Sequence, residues 1–191
     1  QCPQVRAPEL SSLDETLCFG GEKNIHFETR DQNGDSVSII SMEHNLPQKA
    51  KVWIDDTSSA KFESIRVKWE PDSSDIGKTY EIVTKFTDNG CPVNYSKSEI
   101  IRITVVPSIV SNITDSLGTC GEVFLFAESD PKGAKAKDYL WLNMDGDTLS
   151  DSTAYSFILK EKTWYPYQVI ASNTNCKTTT NEIGRASWRE K

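Results

Sequence analysis

Turn-forming residue pairs interrupt this 191-residue chain at four places and constrain what it can fold into. They occur at Asn33-Gly34, Pro71-Asp72, Asn89-Gly90 and Asp145-Gly146. Asn-Gly and Asp-Gly pairs favour the two-residue turns of β-hairpins, because both residues tolerate a positive φ. A helix would instead require a sustained helical period between two caps, which no segment shows. The chain is therefore predicted to be all-β.

The segments between the turns carry strand patterns. Apolar and charged residues alternate in Ile65–Trp69 and in Ile101–Val105, whereas Tyr80–Phe86 and Trp164–Ile170 are rich in β-branched and aromatic residues. Alternation places every second side chain on one face, so such a strand can cover a core with one side. Several short strands of this kind predict a β-sandwich.

A weak internal repeat divides the chain in two. Cys18-Phe-Gly-Gly-Glu22 and Cys120-Gly-Glu122 each precede a predicted strand, and the two units end on turns that contain Cys91 and Cys176. The length of the chain suits two domains of about 100 residues each. We therefore predict a first domain over residues 1–107, with residues 1–17 as a linker or an exchanged strand, and a smaller second domain over residues 108–181.

Five cysteines are spread widely along the chain. None forms a Cys-x-x-Cys pair or lies close to a histidine, which argues against zinc and favours disulfides formed in an oxidising compartment. The internal repeat predicts the pairs Cys18–Cys91 and Cys120–Cys176. Cys2 is then left to bond with an upstream segment or with another chain, or to stay free.

The last ten residues, 182–191, change composition abruptly and carry three basic residues without a β pattern. This stretch is similar to translated sequencing-adapter sequence, a scar found in assembled environmental sequences. We therefore expect the structured part of the chain to end near Asn181 and the tail to be a sequence artefact.

Short motifs follow one another in a consistent order along both predicted domains. They are Thr29–Ser38 with its Asp-x-x-Gly-Asp-x-Val hairpin, Leu46-Pro47, Val67–Pro71, Asp75–Gly77 and Thr87–Pro92, then Asp138–Leu142 and Ser152–Phe157. The set resembles the tandem immunoglobulin-like and cadherin-like repeats of Bacteroidota surface proteins, which include gliding-motility proteins exported by the type IX pathway. The resemblance implies two tandem immunoglobulin-like β-sandwich domains, the first of them cadherin-like, each closed by a disulfide.

Charge and histidine content restrict the available chemistry. The net charge is −7, whereas a nucleic-acid binder normally presents a basic face. The two histidines, His26 and His44, lie in a strand pattern and in a loop pattern, and no serine stands in a Gly-x-Ser-x-Gly context. No apolar run is long enough to span a membrane. The chain is predicted to be neither an enzyme nor a nucleic-acid or membrane-spanning protein.

Calcium is the one metal that the sequence suggests, and no other cofactor is predicted. Asp31, Asn33 and Asp35 alternate around Gly34, and Asp88 approaches from the other end of the first unit. Hard oxygen ligands at such spacing suit calcium. The same residues also make an ordinary hairpin, because Asn-Gly is a strong turn signal. Both interpretations stay open, with the plain turn favoured.

Exposed tryptophans are candidate carbohydrate-binding residues, because flat aromatic faces stack on sugars. Trp69 shares a face with Ile65 and Val67 and is predicted to lie in the core. Trp141 matches the buried tryptophan of the immunoglobulin-like fold. Trp53 and Trp164 are not assigned by their patterns and keep a carbohydrate site open.

Four tripeptides are similar to the Asp-Ser/Thr-apolar acceptor that Bacteroidota use for O-glycosylation. The resemblance implies candidate acceptor hydroxyls at Ser36, Ser116, Thr148 and Ser152.

Together these features predict a non-catalytic, extracellular, cell-surface module of an adhesin, stalk or filament. We expect association with itself or with neighbouring repeats of the same protein, by β-edge pairing or by exchange of residues 3–16. The alternative is a carbohydrate-binding accessory module of a larger secreted enzyme, with a polysaccharide or another cell-surface molecule as its ligand.

Overall fold

A computed structural model describes residues 8–32, 34–56, 61–90, 94–117, 122–129, 133–158 and 164–185. The chain divides into two compact units, residues 1–106 and 107–191. This division lies one residue from the boundary that the sequence predicts. Both units are built from strands, as the turn-forming pairs and the strand patterns between them predict.

The first unit is a sandwich of two four-stranded sheets with the orders β1-β3-β6-β5 and β2-β8-β7-β4. Its strands are β1 (Glu9–Leu10), β2 (Asp14–Cys18), β3 (Lys23–Arg30), β4 (Val37–His44), β5 (Lys51–Asp55), β6 (Ser64–Trp69), β7 (Thr79–Asp88) and β8 (Ser96–Val106). Neighbouring strands are antiparallel except β2 and β8, which are parallel.

Residues near the amino terminus take part in both sheets of the first unit. β1 pairs with β3, and β2 pairs with β8, so that Leu17 is buried in the core. The backbone N–H of Arg102 also donates to the carbonyl of Leu13. The described part of the segment expected as a linker or an exchanged strand is therefore strand paired within its own unit.

The core of the first unit follows the predicted alternation. Ile65, Val67 and Trp69 point inward from β6, and the inward residues of β8 are equally buried. Trp69 is 1% exposed and packs edge-on against Tyr80, with ring centroids 5.1 Å apart. The prediction that Trp69 is a core residue is confirmed.

One buried carboxylate organises the corner between β6 and β7. A short 3-10 turn, Ser73–Asp75, is closed by a capping box in which Asp72 and Asp75 bond each other's backbone. The carboxylate of Asp75 also accepts hydrogen bonds from Tyr80 Oη at 2.7 Å and from Lys49 Nζ at 2.8 Å. Gly77 follows at φ +80°, a left-handed conformation that favours glycine.

The protonation equilibria of this corner reflect those contacts. Burial raises the pKa of the Asp75 carboxyl, but hydrogen bonds from Lys49, Tyr80 and the Asp72 backbone outweigh it, so that the pKa lies below its usual range. Burial and the bond to Asp75 raise the pKa of Tyr80 to about 12. Ionised Asp75 therefore stabilises the fold above about pH 4, and this contribution is lost as the pH falls through its lowered pKa.

The second unit contains a three-stranded sheet, β13-β10-β9, and a four-stranded sheet, β12-β11-β14-β15. Its strands are β9 (Ser111–Leu117), β10 (Glu122–Ser129), β11 (Asp138–Leu142), β12 (Thr148–Ser150), β13 (Ala154–Ile158), β14 (Trp164–Ser172) and β15 (Lys177–Arg185). Trp141 is 0% exposed, and its Nε1–H donates to the carbonyl of Ser152 at 2.9 Å. Its predicted place in the core is confirmed.

The predicted tail begins too early. β15 continues through residues 182–185, which pair with β14 from Tyr167 back to Trp164. Backbone hydrogen bonds of a ladder need no alternation of side chains, so a stretch without a β pattern can still be strand. Residues 186–191 lie outside the described residues.

Tyr80→Phe tests the corner. The change removes the hydroxyl donor to Asp75 and keeps the ring, so we expect a loss of about 1–2 kcal/mol in the free energy of unfolding. The matched control is Tyr95→Phe, because Tyr95 is exposed.

Asp75→Asn should also destabilise the chain at neutral pH, and its difference from wild type should shrink as the pH falls below about 4. Urea unfolding across pH measures both effects, and equal losses in the two tyrosine variants would contradict the assignment.

Candidate functional site

Cys18 and Cys176 are each disulfide-bonded. The predicted pairs Cys18–Cys91 and Cys120–Cys176, with one disulfide closing each unit, stay predictions, because one cysteine of each pair is not described. Cys2, Cys91 and Cys120 lie outside the described residues.

Cys18 lies at the end of the second sheet of the first unit. β2 runs parallel to β8 and places Cys18 opposite Val106, the last residue of β8.

Cys176 lies beside the first residues of the second unit. Its Sγ is 3.5 Å from the carbonyl oxygen of Pro107, before β9 begins.

Tryptic digestion without reduction tests the disulfide. Because the internal repeat predicts the pair Cys18–Cys91, we expect residues 7–23 to be released covalently attached to residues 86–97. Mass spectrometry before and after reduction identifies the pair. Recovery of residues 7–23 attached to any other cysteine-containing peptide would contradict the predicted connectivity.

The candidate calcium residues are partly brought together. Asp31 and Asp88 are both buried, with Asp88 only 2% exposed. A Cβ at Gly90 would lie 3.1 Å from Asp35 Oδ2 and 3.3 Å from Asp88 Oδ1, so these two carboxylates approach the same point. Asn33, the remaining candidate ligand, lies outside the described residues.

Backbone donors already hold these carboxylates. Asp88 Oδ1 accepts from the N–H of Gly90 at 3.1 Å and of Tyr95 at 2.6 Å, and Asp31 Oδ1 accepts from the N–H of Asp35 at 3.2 Å. Within the described ranges, no group of three or more His, Cys, Asp or Glu side chains is arranged to hold a metal ion. The observed bonds are those of side chains that organise turns.

The second unit repeats this arrangement around Asp145-Gly146. Asn143 Oδ1 accepts from the backbone N–H of Asp145 and of Asp147, and Asn143 Nδ2 donates to Asp147 Oδ2 at 3.0 Å. The polar residues of this loop therefore bond one another.

Asp88→Ala distinguishes a turn organiser from a calcium ligand. Because two backbone donors lose their acceptor, we expect a loss of about 1–3 kcal/mol in stability, equal in excess calcium and in EDTA. Asp145→Ala is the exposed control. Thermal unfolding in both buffers measures the effect. A calcium-dependent rise in the wild-type melting temperature that Asp88→Ala abolishes would establish a calcium site instead.

The histidines are not placed for acid–base catalysis. His26 Nδ1 lies 3.8 Å from Glu28 Oε1 on β3, and His44 is exposed at the end of β4. In the part of the chain that the structure describes, neither histidine is hydrogen-bonded to a serine, threonine or cysteine. Among the same residues, no helix has the length and apolar character that a membrane span requires.

A cleft of about 770 Å³ lies beside the β6–β7 corner of the first unit. Lysines line it, but Lys68 pairs with Glu22 at 3.0 Å and Lys49 pairs with Asp72. Carboxylates of the same unit therefore balance the positive charge, and the cleft has no surplus charge with which to select an ionic ligand.

The candidate acceptor hydroxyls lie at accessible positions. Ser116, Thr148 and Ser152 are exposed, and Ser36 is half-buried. Nothing in their geometry separates them from other surface hydroxyls, so glycosylation stays a prediction.

Apolar side chains are exposed on strands of both units, including Phe126 and Ile158 of the second unit. Trp53 is 43% exposed on β5 and Ile54 is 38% exposed beside it. Val83 and Ile100 lie opposite each other on β7 and β8 and are also exposed. No signal in the sequence distinguishes Trp53 from the buried tryptophans, because β5 alternates less clearly than β6.

Comparison with known proteins bears on the fold alone. No protein-family model and no curated protein matches the chain. A crystal structure of a stretch of titin domains is 11% identical at a TM-score of 0.41 and covers 89% of this chain and 61% of that chain. The full ectodomain of mouse nectin-like molecule 4 is 11% identical at a TM-score of 0.34, with 96% and 64% covered.

The amphioxus IgVJ-C2 molecule is 8% identical at a TM-score of 0.34, with 88% of this chain and 98% of that chain covered. The chain thus spans less than two thirds of the titin and nectin-like structures. Both units are built from two β-sheets around a core. Similarity at these scores carries no argument about activity, ligand or source.

Proposed function

We propose that this chain is a non-catalytic extracellular module of a cell-surface adhesin, stalk or filament, built from tandem repeats of the kind found in Bacteroidota surface proteins. Its role is to associate with other protein modules. The observation that carries the proposal is that turn and corner side chains bond within their own unit, while an apolar strand edge with Trp53 stays exposed.

The disulfide supports an extracellular location. Disulfides persist in oxidising compartments and are rare where thiols are kept reduced. Cys18 and Cys176 are each disulfide-bonded, and the constraint that a disulfide places on the unfolded chain stabilises proteins outside the cell.

Between the two assembly routes, pairing of strand edges has the better support. Exchange of residues 3–16 would require β1 and β2 to leave the sheets in which they are paired. An edge strand, by contrast, presents backbone donors and acceptors without any rearrangement. We therefore place self-association at an edge of the sandwich.

Carbohydrate binding has weaker support. It needs at least two exposed aromatic faces on one surface, and the rings of Trp69 and Trp141 are buried. Trp53 is the tryptophan whose described side chain is exposed. A single ring on an edge strand suits a protein contact as well as a sugar.

Sedimentation velocity of the oxidised chain, with its free thiols alkylated, tests the proposal. We expect reversible, concentration-dependent association between micromolar and millimolar protein, with no change when soluble polysaccharides are added. Acrylamide quenching of tryptophan fluorescence serves as the second readout, because Trp53 should become protected only as the protein associates. A strict monomer whose Trp53 is protected by a polysaccharide would overturn the proposal in favour of the carbohydrate-binding alternative.

A further inference from the structure

One sheet of the first unit ends on an open strand. β5 pairs with β6 on one side, and in the described ranges no strand pairs with its other side. Every second residue of an edge strand directs its backbone N–H and C=O away from the sheet. β5 therefore presents hydrogen-bonding groups to which a further strand can be added.

The sequence of β5 is complementary to itself in the antiparallel sense. The strand reads Lys51-Val52-Trp53-Ile54-Asp55. When two copies pair about Trp53, Lys51 faces Asp55 of the other copy at both ends. Val52 faces Ile54, and the two Trp53 rings meet at the centre. Opposite charges and aromatic or branched pairs directly across an antiparallel ladder are favourable.

The two faces of β5 suit this pairing. Lys51, Trp53 and Asp55 share the outer face, where Trp53 is 43% exposed. Val52 packs against the core from the inner face, and Ile54 beside it is 38% exposed. A second copy would cover Trp53 on one face and extend the core past Ile54 on the other.

The two charges on β5 are held differently within the unit. Lys51 lies directly opposite Lys68, a like charge, and interacts electrostatically with Glu22 without forming an ion pair among the described residues. Asp55 is held by Arg66, with Arg66 Nε 3.0 Å from Asp55 Oδ2. The residue that would place a carboxylate opposite Lys51 is Asp55 of another copy.

The other edges of the first unit are less suitable. β1 has only two residues. β2 carries two acidic residues and no basic one, so its self-pairing offers no pair of opposite charges. β4 is interrupted by a bulge between Ile39 and Ser41, a feature that protects natural edge strands against pairing.

We propose that two copies of this chain associate by antiparallel pairing of β5 with β5, centred on Trp53, so that the two four-stranded sheets form one continuous sheet. This inference rests on the proposed function and names the surface it uses. A five-residue strand pair is smaller than the interface of a stable dimer, so the contact is weak between single copies and gains strength when many copies are displayed together.

Cysteine trapping tests the pairing directly. Trp53→Cys places two thiols opposite each other on the two-fold axis, within reach of a disulfide or of a short bis-thiol crosslinker. Val83→Cys is the matched control, because Val83 is also 43% exposed but lies on the other sheet. The wild-type chain supplies the background from its natural cysteines. We expect a covalent dimer from Trp53→Cys at least about tenfold above both controls.

A charge change then tests the register. Adding Lys51→Asp to Trp53→Cys brings acidic residues together at both ends of the pair, so the yield of covalent dimer should fall at least about tenfold, or about 1.4 kcal/mol. Adding Lys61→Asp instead, which makes the same charge change at an exposed site outside β5, should leave the yield unchanged. Circular dichroism verifies that each variant is folded.

The outcomes separate the inference from the proposed function. A Trp53→Cys yield no greater than that of Val83→Cys overturns β5 pairing. If the wild-type chain still associates in sedimentation, the adhesive function stands and another surface carries it. If the wild-type chain also stays monomeric at millimolar concentration, both the inference and the proposed assembly fail.

Discussion

The first unit depends on one buried carboxylate. Asp75 accepts hydrogen bonds from Tyr80, Lys49 and the backbone of Asp72, and so fastens the corner between β6 and β7 to Lys49, 26 residues earlier in the chain. Burying a charge is unfavourable unless such donors replace water. Lys49 stands two residues before β5, so the same carboxylate also holds the chain that leads into the edge strand. The corner and the candidate interaction surface are therefore parts of one arrangement.

Polar residues in this protein act mainly on their own loops. Asp88 holds the turn before β8, and Asn143 holds the turn before β12, each through bonds to backbone N–H groups. In the sequence these residues resemble metal ligands, because carboxylates and amides favour both roles. Because these side chains hold their own loops, the part of the first unit that is open to a protein partner is the edge strand β5.

Alternation of side chains was a reliable guide wherever a strand buries one face. It located β6 and β8 and placed Trp69 in the core, because one-sided burial imposes a two-residue period. It failed for residues 8–18, whose two short strands bury little more than Leu17, and for residues 182–185. A strand that contributes mainly backbone hydrogen bonds shows no two-residue alternation of apolar and polar side chains in its sequence.

The sequence by itself determined that the chain is all-β, that it forms two units, and where its turns and buried tryptophans lie. These features depend on neighbours in the chain and on local burial. Only the tertiary structure decided that β1 and β2 complete the sheets of the first unit, and that β5 is left at an edge. Those outcomes depend on the order and direction of strands in a sheet, and pairing between distant segments is not encoded in any local pattern.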